Sequence, residues 1–167
     1  MKLAASLATI AGALALQTTL TAYVRETSSL DFVLIVVVYL SLTSGPTTGV
    51  LAGTAAGLIQ DALSSGVMGI GALAKTIVGF AAGRVGTQFI VTAPLPRFVV
   101  FIGATLLHAL VFMGLYVLLG LREFPDPYAT VAGQAVGNAV VGVVGFQILE
   151  WFPGFMARRR LRRPMRR

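Results

Sequence analysis

Between residues 3 and 152 the chain reads as six apolar runs separated by short polar or Gly/Pro-rich breaks. A helical membrane span takes about 20 mostly apolar residues, with about 17–25 tolerated. In lipid only helices and closed barrels satisfy every backbone polar group. The runs therefore predict an all-α integral membrane bundle of six short transmembrane helices, over residues 3–22, about 30–43, 46–63, from the turn at 64–71 to about 85, 98–121 and about 129–152. The second run is rich in Val and Ile and short for a span. Ser44-Gly45-Pro46 ends it, because proline breaks the preceding helix and suits the first turn of the next. Residues 86–97 hold Pro94 and Pro96 and are not expected to form a straight helix. This division gives one transmembrane domain, residues 1–156, and a basic tail, 157–167.

Composition agrees. Hydrophobic residues make up 56% of the chain and charged residues 11%, against about 45–50% and about 25% in soluble domains. There is no cysteine, which excludes disulfides, thiolate metal sites and cysteine nucleophiles. The net charge of +7 lies in the tail, in Arg158, Arg159, Arg160, Arg162, Arg163, Arg166 and Arg167. Such a run directly after an apolar segment suits anionic lipids or an acidic partner. No nucleic-acid motif or aromatic interleaving accompanies it. With the C-terminus in the cytoplasm, Lys2, Arg84, Arg97 and the tail fall inside. Arg25 and Arg122 fall outside with Glu26, Asp31, Glu123 and Asp126. The positive-inside rule thus places both termini in the cytoplasm. Lys2 and Ala13-Leu14-Ala15 resemble a secretory signal, but the apolar run continues to the length of a span, which favours a retained first helix.

Gly45, Gly49, Gly53 and Gly57 repeat at i+4 along the third segment. Gly79 with Gly83, and Gly133 with Gly137, repeat the spacing in the fourth and sixth. Small residues on one face let helix backbones approach closely in lipid. Each stripe fits either internal packing or the docking of a partner's helix. Asp61 and Lys75 lie inside apolar stretches on either side of the turn near Val67. An ionised group at the bilayer centre costs at least about 2.5–3.5 kcal/mol, so a mutual pair is expected. It would act as a pin between the third and fourth helices or as part of a proton or ion relay; both groups solvated among headgroups is the third reading. His108 has no second histidine to share a metal and reads as an interhelical hydrogen-bonding residue, with Gln134 and Asn138 as candidate partners across the bundle. No catalytic triad, paired carboxylates, phosphate loop or metal-ligand spacing appears, so no enzyme activity and no cofactor is expected.

Gly49-x-x-x-Gly53-x-x-x-Gly57-Leu58-Ile59-Gln60-Asp61, with Gly66, Gly69 to Leu73, Val78-Gly79-Phe80 and Gly83, resembles the central signature of the MreD family of rod shape-determining membrane proteins. The likeness covers roughly residues 31–84; elsewhere the match is in layout, and Lys75 is not part of the pattern. The resemblance implies a non-enzymatic scaffold of the bacterial inner membrane that binds a bitopic MreC protein. It would connect MreB filaments to the glycosyltransferase RodA and a class B penicillin-binding transpeptidase. It also implies a fold similar to the substrate-binding subunits of energy-coupling factor vitamin transporters. Those subunits supply an alternative function, for which Ala4, Ala8 and Gly12 on the first helix would be a coupling face.

Overall fold

A computed structural model describes residues 2–23, 30–64, 66–89, 91 and 93–151. Among these the chain forms six α-helices and no strand: α1 (Lys2–Tyr23), α2 (Phe32–Ser44), α3 (Pro46–Leu63), α4 (Ile70–Gln88), α5 (Pro94–Leu118) and α6 (Tyr128–Trp151). α5 and α6 are each long and apolar enough to cross a membrane. The basic tail lies outside the described residues.

The short helix is the central one. α2 touches all five others, while α3 packs most extensively on α4 and α5 packs on α6. A helix that is apolar on every side is stable only when surrounded. Val33, Leu34, Ile35, Val37, Val38, Leu40 and Ser41 of α2 are all buried. On one side Leu34, Ile35 and Val38 meet Val78, Ala82, Phe101, Ala139 and Phe146. On the other, Val33, Val37 and Leu40 meet Ile10, Leu14, Ala52 and Ala56.

A single residue joins α2 to α3. Gly45 has φ 93°, ψ 177°, a region essentially reserved for glycine, and Pro46 opens α3 without needing a backbone donor. Residues 86–97 form no straight helix, as expected, although α5 begins at Pro94 rather than at residue 98. α4 continues to Gln88, and Pro94 and Pro96 lie in the first turn of α5, where a missing N–H costs nothing.

The glycine stripes of α3 and α4 face each other. A Cβ on Gly49 would collide with the carbonyl of Gly79, one on Gly53 with the backbone of Lys75 and Thr76, and one on Gly57 with Ala72. Gly83 is likewise closed off by Gly45 and Pro46. The Thr54 and Thr76 hydroxyls bond across the seam at 2.8 Å. These stripes are internal packing faces. The α6 stripe differs: a Cβ on Gly137 would meet the Leu30 side chain, whereas Gly133 faces open space.

This difference is testable by thermal unfolding in detergent. Gly53→Ala forces a methyl against backbone and should destabilise by about 1–3 kcal/mol. Gly133→Ala should fall within about 0.5 kcal/mol of wild type. Equal effects at the two positions would contradict the α3–α4 seam.

Candidate functional site

Charged and polar side chains converge where α2 begins. Asn138, a contact of Asp31, lies ten residues beyond the start of α6, or about 15 Å along it at about 1.5 Å per residue. The first turn of α2 is thus recessed within the bundle. Asp31 caps it, its Oδ1 accepting from Leu34 N at 2.9 Å, as aspartate does well at a helix start. The backbone N–H of Asp31 donates to Asn138 Oδ1 at 3.0 Å. Asn138 Nδ2 donates to Thr105 Oγ1 at 3.3 Å, and Thr105 in turn donates to Phe101 O. From α1, Gln17 Nε2 donates to Leu30 O and Gln17 Oε1 accepts from Phe32 N, at 3.0 and 2.9 Å.

The carboxylate meets an ammonium. Lys75 Nζ lies 2.8 Å from Asp31 Oδ2, with Lys75 3% and Asp31 6% exposed. It also lies 3.2 Å from His108 Nε2. An ammonium offers only donors, so His108 Nε2 takes the acceptor role. The His108 ring stacks on Phe112, centroids 5.7 Å apart. Five helices therefore contribute: α1 through Gln17, α2 as the capped helix, α4 through Lys75, α5 through His108 and Thr105, and α6 through Asn138. Gln134, one turn before Asn138, is half-buried and stays outside the cluster.

Lys75 thus does not pair with Asp61. Asp61 Oδ2 accepts from Gly69 N at 2.8 Å and from Ala72 N at 3.1 Å. The first amides of α4 have no acceptor within their own helix, and a carboxylate there also complements the helix dipole. These donors hold Asp61 through Oδ2, while Lys75, further along α4, reaches Asp31. The arrangement suits a pin. Removing one partner of a buried pair is strongly destabilising because it strands the other charge.

A second, half-buried ion pair closes the opposite end of the bundle. Arg97 Nη1 and Nη2 donate to Glu150 Oε2 and Oε1 at 2.9 and 2.5 Å, and the guanidinium lies 4.4 Å from the Phe146 ring centroid. Arg97 sits in the first turn of α5 and Glu150 in the last turns of α6, each unfavourable to its own helix dipole. Their pairing offsets both. Arg97, expected in an inner loop, is instead 2% exposed. Glu150, Asp31, Thr105 and Gln17 were not singled out by the sequence. An aspartate directly before an apolar run, and an acid at a helix C-terminus, were the available signals. Arg158, Arg159, Arg160, Arg162, Arg163, Arg166 and Arg167 lie outside the described residues.

A double-mutant cycle separates the two candidate partners of Lys75. Lys75→Met should cost about 3–5 kcal/mol by leaving the Asp31 charge unpaired. Adding Asp31→Asn should recover part of that loss, a coupling of about 0.5–3 kcal/mol. Adding Asp61→Asn instead should be additive. Coupling to Asp61 and none to Asp31 would overturn the assignment.

No curated protein and no solved structure matches the chain. A family model does: that of the rod shape-determining protein MreD, over residues 3–146. That range takes in all of α2 to α5, most of α1 and α6, and every side chain of the Asp31–Lys75 cluster. The chain belongs to the MreD family of rod shape-determining membrane proteins.

Proposed function

We propose that this protein is a multi-pass scaffold of the cell-elongation machinery, with both termini cytoplasmic, which acts by holding other membrane proteins and catalyses nothing. Family membership carries the role in rod shape. The distribution of polarity supports the multi-pass reading. Leu95, Val99, Leu106, Leu110 and Val117 of α5, and Val136, Val140, Val144 and Ile148 of α6, are exposed, whereas Asp31, Lys75, His108, Thr105 and Asn138 are buried. A surface this apolar around a polar interior suits lipid rather than water.

The partners are a bitopic MreC-like protein and, through it, RodA, a class B penicillin-binding transpeptidase and MreB filaments. With the α3 and α4 glycines occupied internally, the open small-residue faces are those of Gly12 on α1 and Gly133 on α6, and a partner helix docks there. The basic tail lies on anionic lipid or an acidic partner surface, each arginine contributing about 1 kcal/mol near such a leaflet. The alternative is a vitamin-transporter subunit of the energy-coupling factor type. It retains one supporting feature, the open α1 face at Gly12. Against it, the interior polar groups bond to one another.

Two measurements test this reading. A reporter active only in the periplasm should be silent when fused after Arg167 and active when inserted at Glu123; the reverse pattern contradicts the topology. Gly12→Leu or Gly133→Leu should leave the monomer folded while co-purification of the MreC-like partner is lost and rod-shaped cells round up. A vitamin retained stoichiometrically, or an uptake defect without rounding, would favour the transporter subunit.

A further inference from the structure

At the end of the bundle where α3 turns into α4 and α5 leads into α6 lies a cavity of about 410 Å³, lined by Asp61, Ser64, Val67, Phe112, Tyr116 and Arg122, among others. Its groups differ in kind and are not exhausted by the fold. Asp61 is buried, yet both backbone donors that cap α4 fall on Oδ2, so Oδ1 remains as an acceptor. The Tyr116 hydroxyl accepts from Val67 N at 3.1 Å and keeps its own proton to donate. Phe112 and Tyr116 form an aromatic wall, ring centroids 4.8 Å apart. Arg122 is exposed in the loop after α5, its guanidinium 5.3 Å from the Phe124 ring centroid.

A carboxylate beside aromatic faces suits an ammonium group, by charge-assisted hydrogen bonding and by cation–π attraction. An exposed arginine in the same cavity suits a phosphate. A ligand carrying both charges a few atoms apart would satisfy the two together. The lining residues come from the ends of helices and the connections between them, which is headgroup level for a membrane-spanning bundle. We propose that this cavity binds the headgroup of a primary-amine phospholipid such as phosphatidylethanolamine, its ammonium on Asp61 and its phosphate at Arg122. This inference rests on the multi-pass reading. It gives the scaffold a lipid contact at the end opposite the Arg97–Glu150 pair.

The test is lipid retention by the full-length protein, measured by native mass spectrometry after reconstitution with phosphatidylethanolamine, phosphatidylcholine and phosphatidylglycerol in equal amounts. Phosphatidylethanolamine should be retained about tenfold over phosphatidylcholine, whose trimethylammonium has no N–H to donate, and over phosphatidylglycerol, which has no cation. Asp61→Asn should abolish that preference. Arg122→Gln, an exposed change that leaves the fold intact, should weaken retention of phosphatidylethanolamine and phosphatidylglycerol alike. The wild-type ranking and Arg122→Gln keep the inference testable should Asp61→Asn fail to accumulate. Equal retention of the three lipids would overturn it while leaving the multi-pass reading standing; retention of no lipid at all would overturn that reading too. Displacement of the lipid by free phosphoethanolamine at equal concentration would assign the cavity to a soluble zwitterion instead.

Discussion

A lysine held inside an apolar bundle must find an acid and must place its remaining protons on acceptors, because no water competes to solvate it. Lys75 does both, with Asp31 and His108, and the rest of the fold is arranged around this requirement. Asp31 can be the partner only because α2 starts below the surface of the bundle. That start in turn needs acceptors and donors at a depth where water supplies none. Asn138 and Gln17 provide them. The ion pair, the recessed helix and the two amide side chains therefore depend on one another. Losing any one would strand polar groups on the others.

The glycine seam is the second half of the arrangement. α3 and α4 approach backbone to backbone, and Gly53 packs directly on the backbone of Lys75. The seam holds Lys75 at a fixed position along α4 while the Thr54–Thr76 bond sets its register. At the other end the Arg97–Glu150 pair fixes α5 against α6. Rigid helix pairs held to a short central helix suit the proposed scaffold role.

Much of this architecture was legible in the sequence, because it follows from local rules. Gly45-Pro46 marks the α2–α3 junction, and residues 46–63 form α3 as expected. The valine-rich run becomes the short central helix. What was not legible depended on depth. Asp31 reads as a loop residue because it follows Glu26 and precedes an apolar run, and nothing local says that the run begins inside the bundle. Asp61 and Lys75 look like neighbours across a turn, but the uncapped amides of Gly69 and Ala72 compete for the carboxylate, and hydrogen bonding at the helix start decides. Glu150 finds Arg97 across 53 positions of sequence, a distance that periodicity does not span. Pro94 and Pro96 mark the expected break after α4, but that they also open α5, four residues before Phe98, was not legible.

The scarcity of charge makes the central contact directly measurable. The chain has two lysines, Lys2 and Lys75, and three aspartates, Asp31, Asp61 and Asp126. Solid-state NMR dipolar recoupling between ¹⁵Nζ of lysine and ¹³Cγ of aspartate, in bilayers, can therefore be assigned by single substitutions. One short contact is expected, which disappears in Asp31→Asn and persists in Asp61→Asn. A contact that disappears in Asp61→Asn and persists in Asp31→Asn would contradict the recessed helix and the cluster built around it.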